Sequence, residues 1–162
     1  MTCILAADGV IVADRKRVGP HLCSVTKVWP ATDGSIFADA GDASWGERFR
    51  EWYEAGCNPE KRDALVKLMH DIGCDGLALQ IRPDKMIVIW ENGLVPLPMH
   101  TERYAIGSGG PYALGAFCAG ASMQDAIRIA SEWDEYTGPD CDAITLADAA
   151  PKRTTKKRRK RG

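Results

Sequence analysis

A chain of 162 residues with 45% apolar residues and a formal net charge of -1 fits one compact domain with a core of its own and is too short for two ordinary ones. That composition excludes a disordered chain and a generally basic nucleic-acid binder, and no apolar stretch approaches the roughly 18 residues a membrane span requires. The N-terminus lacks a basic region followed by an uninterrupted apolar segment, so a cytoplasmic protein is expected. Six cysteines (Cys3, Cys23, Cys57, Cys74, Cys118, Cys141) contain no C-x-x-C pair and are expected as reduced thiols. His21, His70 and His100 lack metal-ligand spacing and read as surface or loop residues.

Residues 3–7 and 10–14 flank Asp8-Gly9, the dipeptide of a tight hairpin turn, and predict an opening β-hairpin. After a polar loop, 24–28 alternates as a strand, 30–34 turns and 36–40 makes a fourth strand. Ser44-x-x-Glu47 has the form of a capping box, with Phe49, Trp52 and Tyr53 recurring at helical spacing behind it. Asn58-Pro59 breaks that helix, and Leu65, Leu68 and Met69 mark a second over 60–70. Strands follow over 76–81, 86–90 and 94–99, then helices over 111–119 and 122–136, and a strand over 142–146. The later helix carries Met123, Ala126, Ile127, Ala130 and Trp133 on one stripe. Strands, helices, strands, helices describe an α+β protein in which antiparallel sheets pack between helix layers.

The domain is expected over 1–150. Residues 151–162 hold eight of the 21 basic residues and no acidic one, which leaves the domain distinctly acidic. With no large apolar side chain to bury, this tail is expected to be disordered. It reads either as a solvated end or as a weak polyanion-binding patch whose affinity would fall steeply with salt.

Thr2 carries the most chemistry. Removal of Met1 would leave an α-amine and a hydroxyl on adjacent carbons, a nucleophile and a general base on one residue. The amine, with a reference pKa of roughly 7.7 to 8.0, is partly unprotonated at neutral pH. Such a couple reacts slowly unless a fixed positive charge nearby lowers its proton affinity, and a lysine held by a carboxylate supplies that. Asp14 ends the second hairpin strand, opposite Thr2. Lys27 falls within the next predicted strand, where a charged residue is either solvent-facing or functional.

Thr2, Ala13-Asp14-Arg15, Lys27-Val28, the Ala40-Gly41-Asp42-Ala43 turn and Ala105-Ile106-Gly107-Ser108-Gly109-Gly110-Pro111-Tyr112-Ala113 together resemble the proteasome-type N-terminal-nucleophile peptidases, and within them the HslV branch. The resemblance spans 2–146 in order and is weak from 45 to 99. It implies a four-layer αββα sandwich, the Ntn-hydrolase fold, and peptide-bond hydrolysis through an acyl-ester intermediate. Thr2 would attack with its own amine as proton acceptor, Lys27 would supply the positive charge, and Asp14 would hold Lys27. The Gly41 N–H would stabilise the oxyanion and Ser108 would relay protons. The carbonyls of Pro139, Asp142 and Thr145 match positions that hold a monovalent cation, sodium or potassium; no cofactor is expected to be required for hydrolysis.

The same resemblance implies stacked homo-oligomeric rings with inward-facing nucleophiles, protein or peptide substrates, and an ATP-dependent AAA+ unfoldase. The segment from 17 to 27 is shorter than in that branch. Asp39 falls where the branch floors the pocket for the side chain before the cleaved bond; there it would favour basic side chains, unless it faces solvent or caps a helix. Two other readings remain open on the residues alone: an amidase acting on a small amide, and a catalytically silent shell of the same fold.

Overall fold

The computed structural model describes residues 2–17 and 23–149; His21 and the basic tail lie outside the described residues. The opening hairpin forms as expected, β1 (Ile4–Ala7) and β2 (Val10–Asp14) joined at Asp8-Gly9. Both turn residues have positive φ, 53° and 79°, as a two-residue turn with the right-handed twist of its strands demands. β3 (Lys16–Arg17) and β4 (Cys23–Ser24) form a small ladder of their own. β5 (Val28–Pro30) and β6 (Ile36–Gly41) lead into α1 (Ala43–Glu54) and α2 (Pro59–Asp71). Then come β7 (Gly76–Ile81), β8 (Ile87–Trp90), β9 (Pro96–Met99) and β10 (Arg103–Ile106). α3 (Gly110–Cys118), α4 (Met123–Trp133), β11 (Cys141–Thr145) and the short α5 (Leu146–Ala149) complete the described chain.

Two antiparallel sheets result, one in the order β10-β1-β2-β11 and the other β5-β6-β7-β8-β9. Strand alternation divides the apolar residues among three cores. Ile4, Ile11, Ile36, Leu79 and Ile89 face each other between the sheets. Phe37, Val88 and Trp90, on the opposite face of the five-stranded sheet, pack against Trp45, Phe49 and Trp52 of α1 and Met69 of α2. Leu5 and Val12, on the opposite face of the other sheet, pack against Ala113 of α3 and Ala126, Ile127 and Ala130 of α4. Each central strand is thus buried on both faces, and its apolar residues run nearly without interruption. The molecule is a mixed α/β fold with five helices among the described residues.

Several expectations need correction. The capping box at Ser44 does not form: the N-cap of α1 is Asp42, and its carboxylate accepts from Asp75 N instead. Ser44 Oγ lies 3.1 Å from Cys74 Sγ. Tertiary partners took the Ser44 hydroxyl and the Asp42 carboxylate, the two side chains placed to serve the helix start. Asn58 caps α2, accepting from the N–H groups of Glu60 and Lys61, with Pro59 in the first turn. Trp133 belongs to no core and is 71% exposed at the last residue of α4. Lys27 precedes β5 rather than lying inside a strand, and β10 was not anticipated at all.

Gly76 of β7 sits beneath the Trp45 indole, and a Cβ there would fall 2.5 Å from the ring. Trp45 is fully buried and stacked on Phe49 at 5.1 Å, so it has no room to withdraw. Gly76→Ala is expected to lower stability by about 1–3 kcal/mol, measured by chemical denaturation, as overpacked cores do.

Candidate active site

The register of the hairpin places Asp14 beside the start of β1: Asp14 N donates to Cys3 O at 2.9 Å. Thr2, the preceding residue, is 1% exposed and Asp14 is fully buried. The Thr2 hydroxyl donates to Asp14 Oδ1, and Lys27 Nζ donates both to Thr2 Oγ1 and, at 2.7 Å, to the same carboxylate oxygen. Cys3 N adds a third donor to Oδ1 at 2.8 Å. Oδ2 receives the N–H groups of Lys16 and Gly138, each at 3.0 Å. Burial pushes the Lys27 ammonium below its ordinary value, and Asp14 opposes that shift by favouring the charged form. The hydroxyl therefore sits between a desolvated cation and a carboxylate.

The Gly107 to Gly110 segment lies directly on Thr2. Gly107 has φ +86°, and any Cβ there would collide with the Thr2 carbonyl. Gly109 N donates to that carbonyl at 3.4 Å. These glycines are needed for close backbone approach to protein, not for cradling an anion. Ser108 Oγ donates to Asp134 Oδ2 at 2.8 Å, and Thr137 Oγ1 donates to the same oxygen at 2.6 Å. Burial pushes the Asp134 carboxyl up, but the hydrogen bonds from Thr137, Ser108 and the Tyr136 N–H together outweigh it and hold the group below the ordinary carboxylate range.

Asp134, Thr137 and Gly138 are site residues that sequence reasoning missed. Their only local sign is a polar Asp-x-x-Thr-Gly run where the α4 stripe ends. Their partners, Ser108 and Asp14, are 26 and 124 residues away.

Thr2 and Lys27 line a cleft of about 510 Å³ together with Asp39, Gly41, Glu47 and Arg50. Gly41 has φ +109°, and a Cβ there would fall 2.5 Å from Asp75 O, so glycine is required where β6 turns into α1. Asp39 neither faces open solvent nor caps a helix. It is half-buried in the cleft wall, and its carboxylate lies over Gly46 of α1, where any Cβ would collide with it. Burial pushes its pKa up to about 6; the Trp29 indole, Lys27 and Arg50 pull it down, and Glu47 pushes it up. The Trp29 indole N–H itself completes no hydrogen bond among the described residues, and the Arg50 guanidinium covers its ring at 5.0 Å.

Pro139, Asp142 and Thr145 are not gathered in the same way. Pro139 lies in the wall of a second cleft, and Asp142 and Thr145 belong to β11. Arg15 N donates to Asp140 O and Leu146 N to Gly9 O, which fixes the parity of the β11–β2 ladder. That parity turns the Asp142 carbonyl towards β2 and the Thr145 carbonyl away from it. The Thr145 N–H and hydroxyl both go to Asp148 Oδ2. The two strand carbonyls therefore do not converge on one point.

The raised pKa of Asp39 has a measurable consequence for stability. The folded chain binds a proton there that the unfolded chain, titrating near 3.8, has already released, so stability falls as pH rises from about 4 to about 6. Asp39→Asn removes this burden. Its thermal midpoint should exceed that of the parent at pH 7.5 and match it near pH 4; equal midpoints at both pH values would contradict the assignment.

No protein-family model matches the sequence, and no curated protein matches it. Solved structures match it in three dimensions. HslV from Trypanosoma brucei superposes with a TM-score of 0.63 at 20% sequence identity, covering 88% of this chain and 98% of that one. Anbu (ancestral beta-subunit) from Yersinia bercovieri superposes with a TM-score of 0.63 at 10% identity, covering 89% and 80%. At these identities the likeness establishes the fold, and the fold is HslV-like.

Proposed function

We propose that this chain is a threonine-type N-terminal-nucleophile endopeptidase. The observation that carries the reading is the mutual hydrogen bonding of Thr2, Lys27 and Asp14, gathered from three separate segments, with Thr2 and Lys27 on the wall of one cleft and Asp14 buried behind them. The two sheets, with a helix pair on each outer face, read as the four-layer sandwich of that enzyme class. By the same resemblance the active form is a homo-oligomer of stacked rings, to which an AAA+ unfoldase delivers protein substrates in the cytoplasm. If a sodium or potassium ion supports the loop before β11, it does so through carbonyls other than the convergent trio first expected.

After Met1 is removed, the Thr2 α-amine takes the hydroxyl proton as the oxygen attacks the peptide carbonyl carbon. Lys27, held by Asp14, stabilises the developing alkoxide, and desolvation of both strengthens that interaction. The Gly41 N–H, at the cleft wall, serves as the oxyanion donor, a contribution of several kcal/mol where it is preorganised. The carbon–nitrogen bond breaks as the α-ammonium returns its proton to the leaving amine. Ser108, anchored on Asp134, passes the proton between these positions. Water, deprotonated by the same amine, then attacks the acyl ester, and the proton returns to the Thr2 oxygen.

A peptide epoxyketone tests the nucleophile. Mass spectrometry should find an adduct joining the amine and hydroxyl of Thr2 on a chain that begins with Thr2, and none on Thr2→Ala. Assembled, fully active protein that still begins with methionine would overturn the mechanism.

Specificity follows from Asp39. Peptides with Lys or Arg before the cleaved bond should be cleaved faster than apolar ones, and the advantage should grow as pH rises through about 6 and Asp39 ionises. Asp39→Asn should abolish both the preference and its pH dependence; kcat/KM for paired fluorogenic peptides across pH 5 to 8 is the measurement.

A further inference from the structure

Lys16 is joined to the site in three ways that its place on the cleft wall does not by itself require. Its backbone N–H donates to Asp14 Oδ2 at 3.0 Å. Its Cβ packs on Gly138, so closely that a Cβ on Gly138 would fall 2.7 Å from it. Its ammonium donates to the backbone carbonyl of Glu135 at 2.5 Å, 119 residues along the chain. One residue therefore spans the connection between α4 and β11 from Glu135 to Gly138.

That connection serves both arms of the site. At its start, the Asp134 carboxylate receives Ser108 and Thr137. Three residues after Glu135, the Gly138 N–H donates to Asp14. The far end is fixed by the β11 ladder and the near end by α4, so the middle of the loop is the part whose position depends on a local tether. We infer that the Lys16 ammonium is a positioning group: by holding the Glu135 carbonyl it sets the loop that presents the Gly138 N–H to Asp14. The function this serves rests on the peptidase reading above, although the tether itself does not.

Lysine suits the task because its carbon stem covers the loop while its ammonium reaches a carbonyl at the far side. Methionine retains the stem and loses the donor; arginine retains both stem and donor. Misplacing catalytic groups by a fraction of an ångström to an ångström costs rate more than binding. In the assembled full-length protein, Lys16→Met should lower kcat for a basic fluorogenic peptide about ten- to a hundredfold with KM changed less than about twofold. Lys16→Arg should restore most of the loss. If Lys16→Met fails to assemble, Lys16→Leu, which also has an apolar stem and no donor, is read the same way.

Amide hydrogen exchange supplies a readout independent of activity: exchange at Gly138 should be faster in Lys16→Met than in the parent and near the parent rate in Lys16→Arg. Unchanged exchange at Gly138 overturns the tether. So does a rise in KM at unchanged kcat, which would make Lys16 a direct substrate contact. If the parent protein forms no epoxyketone adduct at Thr2, the peptidase reading fails, and the exchange comparison alone then decides the tether.

Discussion

The buried carboxylate of Asp14 is the constraint on which the site is built. A lone carboxylate moved out of water is costly, and its burial is tolerated only where charge and hydrogen bonds replace the lost hydration. Here five donors do so, three on one oxygen and two on the other. They come from the chain start, from Lys16 just past β2, from the approach to β5 and from the loop before β11. Satisfying one anion thus fixes where four separate segments meet, and Thr2 and Lys27 are among the groups it gathers. The geometry of the nucleophile follows from a solvation requirement.

The sheets make that requirement enforceable. β1 and β2 have the intersheet core on one face and the α3–α4 core on the other, so neither strand can slip by one residue without exchanging Ile4 and Ile11 for Leu5 and Val12 of the opposite face. The register that pairs Ile4 with Ala13 is held by the cores and by the positive-φ turn at Asp8-Gly9. It is also the register that places Asp14 against Cys3. At the far edge, Pro98 and Pro96 of β9 stand opposite Val88 and Trp90. Proline has no N–H to give, which leaves that outer edge poor in donors and unsuited to pairing with a stray strand.

Much of this was legible in the chain. The hairpin was readable because its turn chemistry is local, and the helices over 59–71 and 123–133 because their apolar spacing and N-terminal caps are local too. Thr2, Asp14 and Lys27 could be singled out as residue types suited to one chemistry. What sequence spacing could not reveal was competition for side chains. Asp42 and Ser44 were free to serve α1, yet Asp75 and Cys74 took them. Asp134 fell unremarked inside the helix expected over 122–136 because Ser108, the partner that gives it a role, lies 26 residues away. Trp133 followed the helical stripe but stands exposed at the end of α4, outside the core the stripe builds.

Lys27 shows how the site divides labour between its two nearest carboxylates. Burial pushes its proton off, and both Asp14 and Asp39 favour keeping it on. Only Asp14 reaches it with a hydrogen bond, and Asp14 is itself held by four other donors, so that partnership is fixed in direction. Asp39 acts on Lys27 through space and is poorly solvated, with its own pKa raised to about 6. A carboxylate in that condition gains most from a new positive partner, whereas Asp14 has no unmet demand for one. The two acids therefore have separate tasks despite sharing a lysine: one is saturated and fixes the nucleophile, and the other is left short of partners at the cleft wall, where a basic side chain of a substrate would complete it.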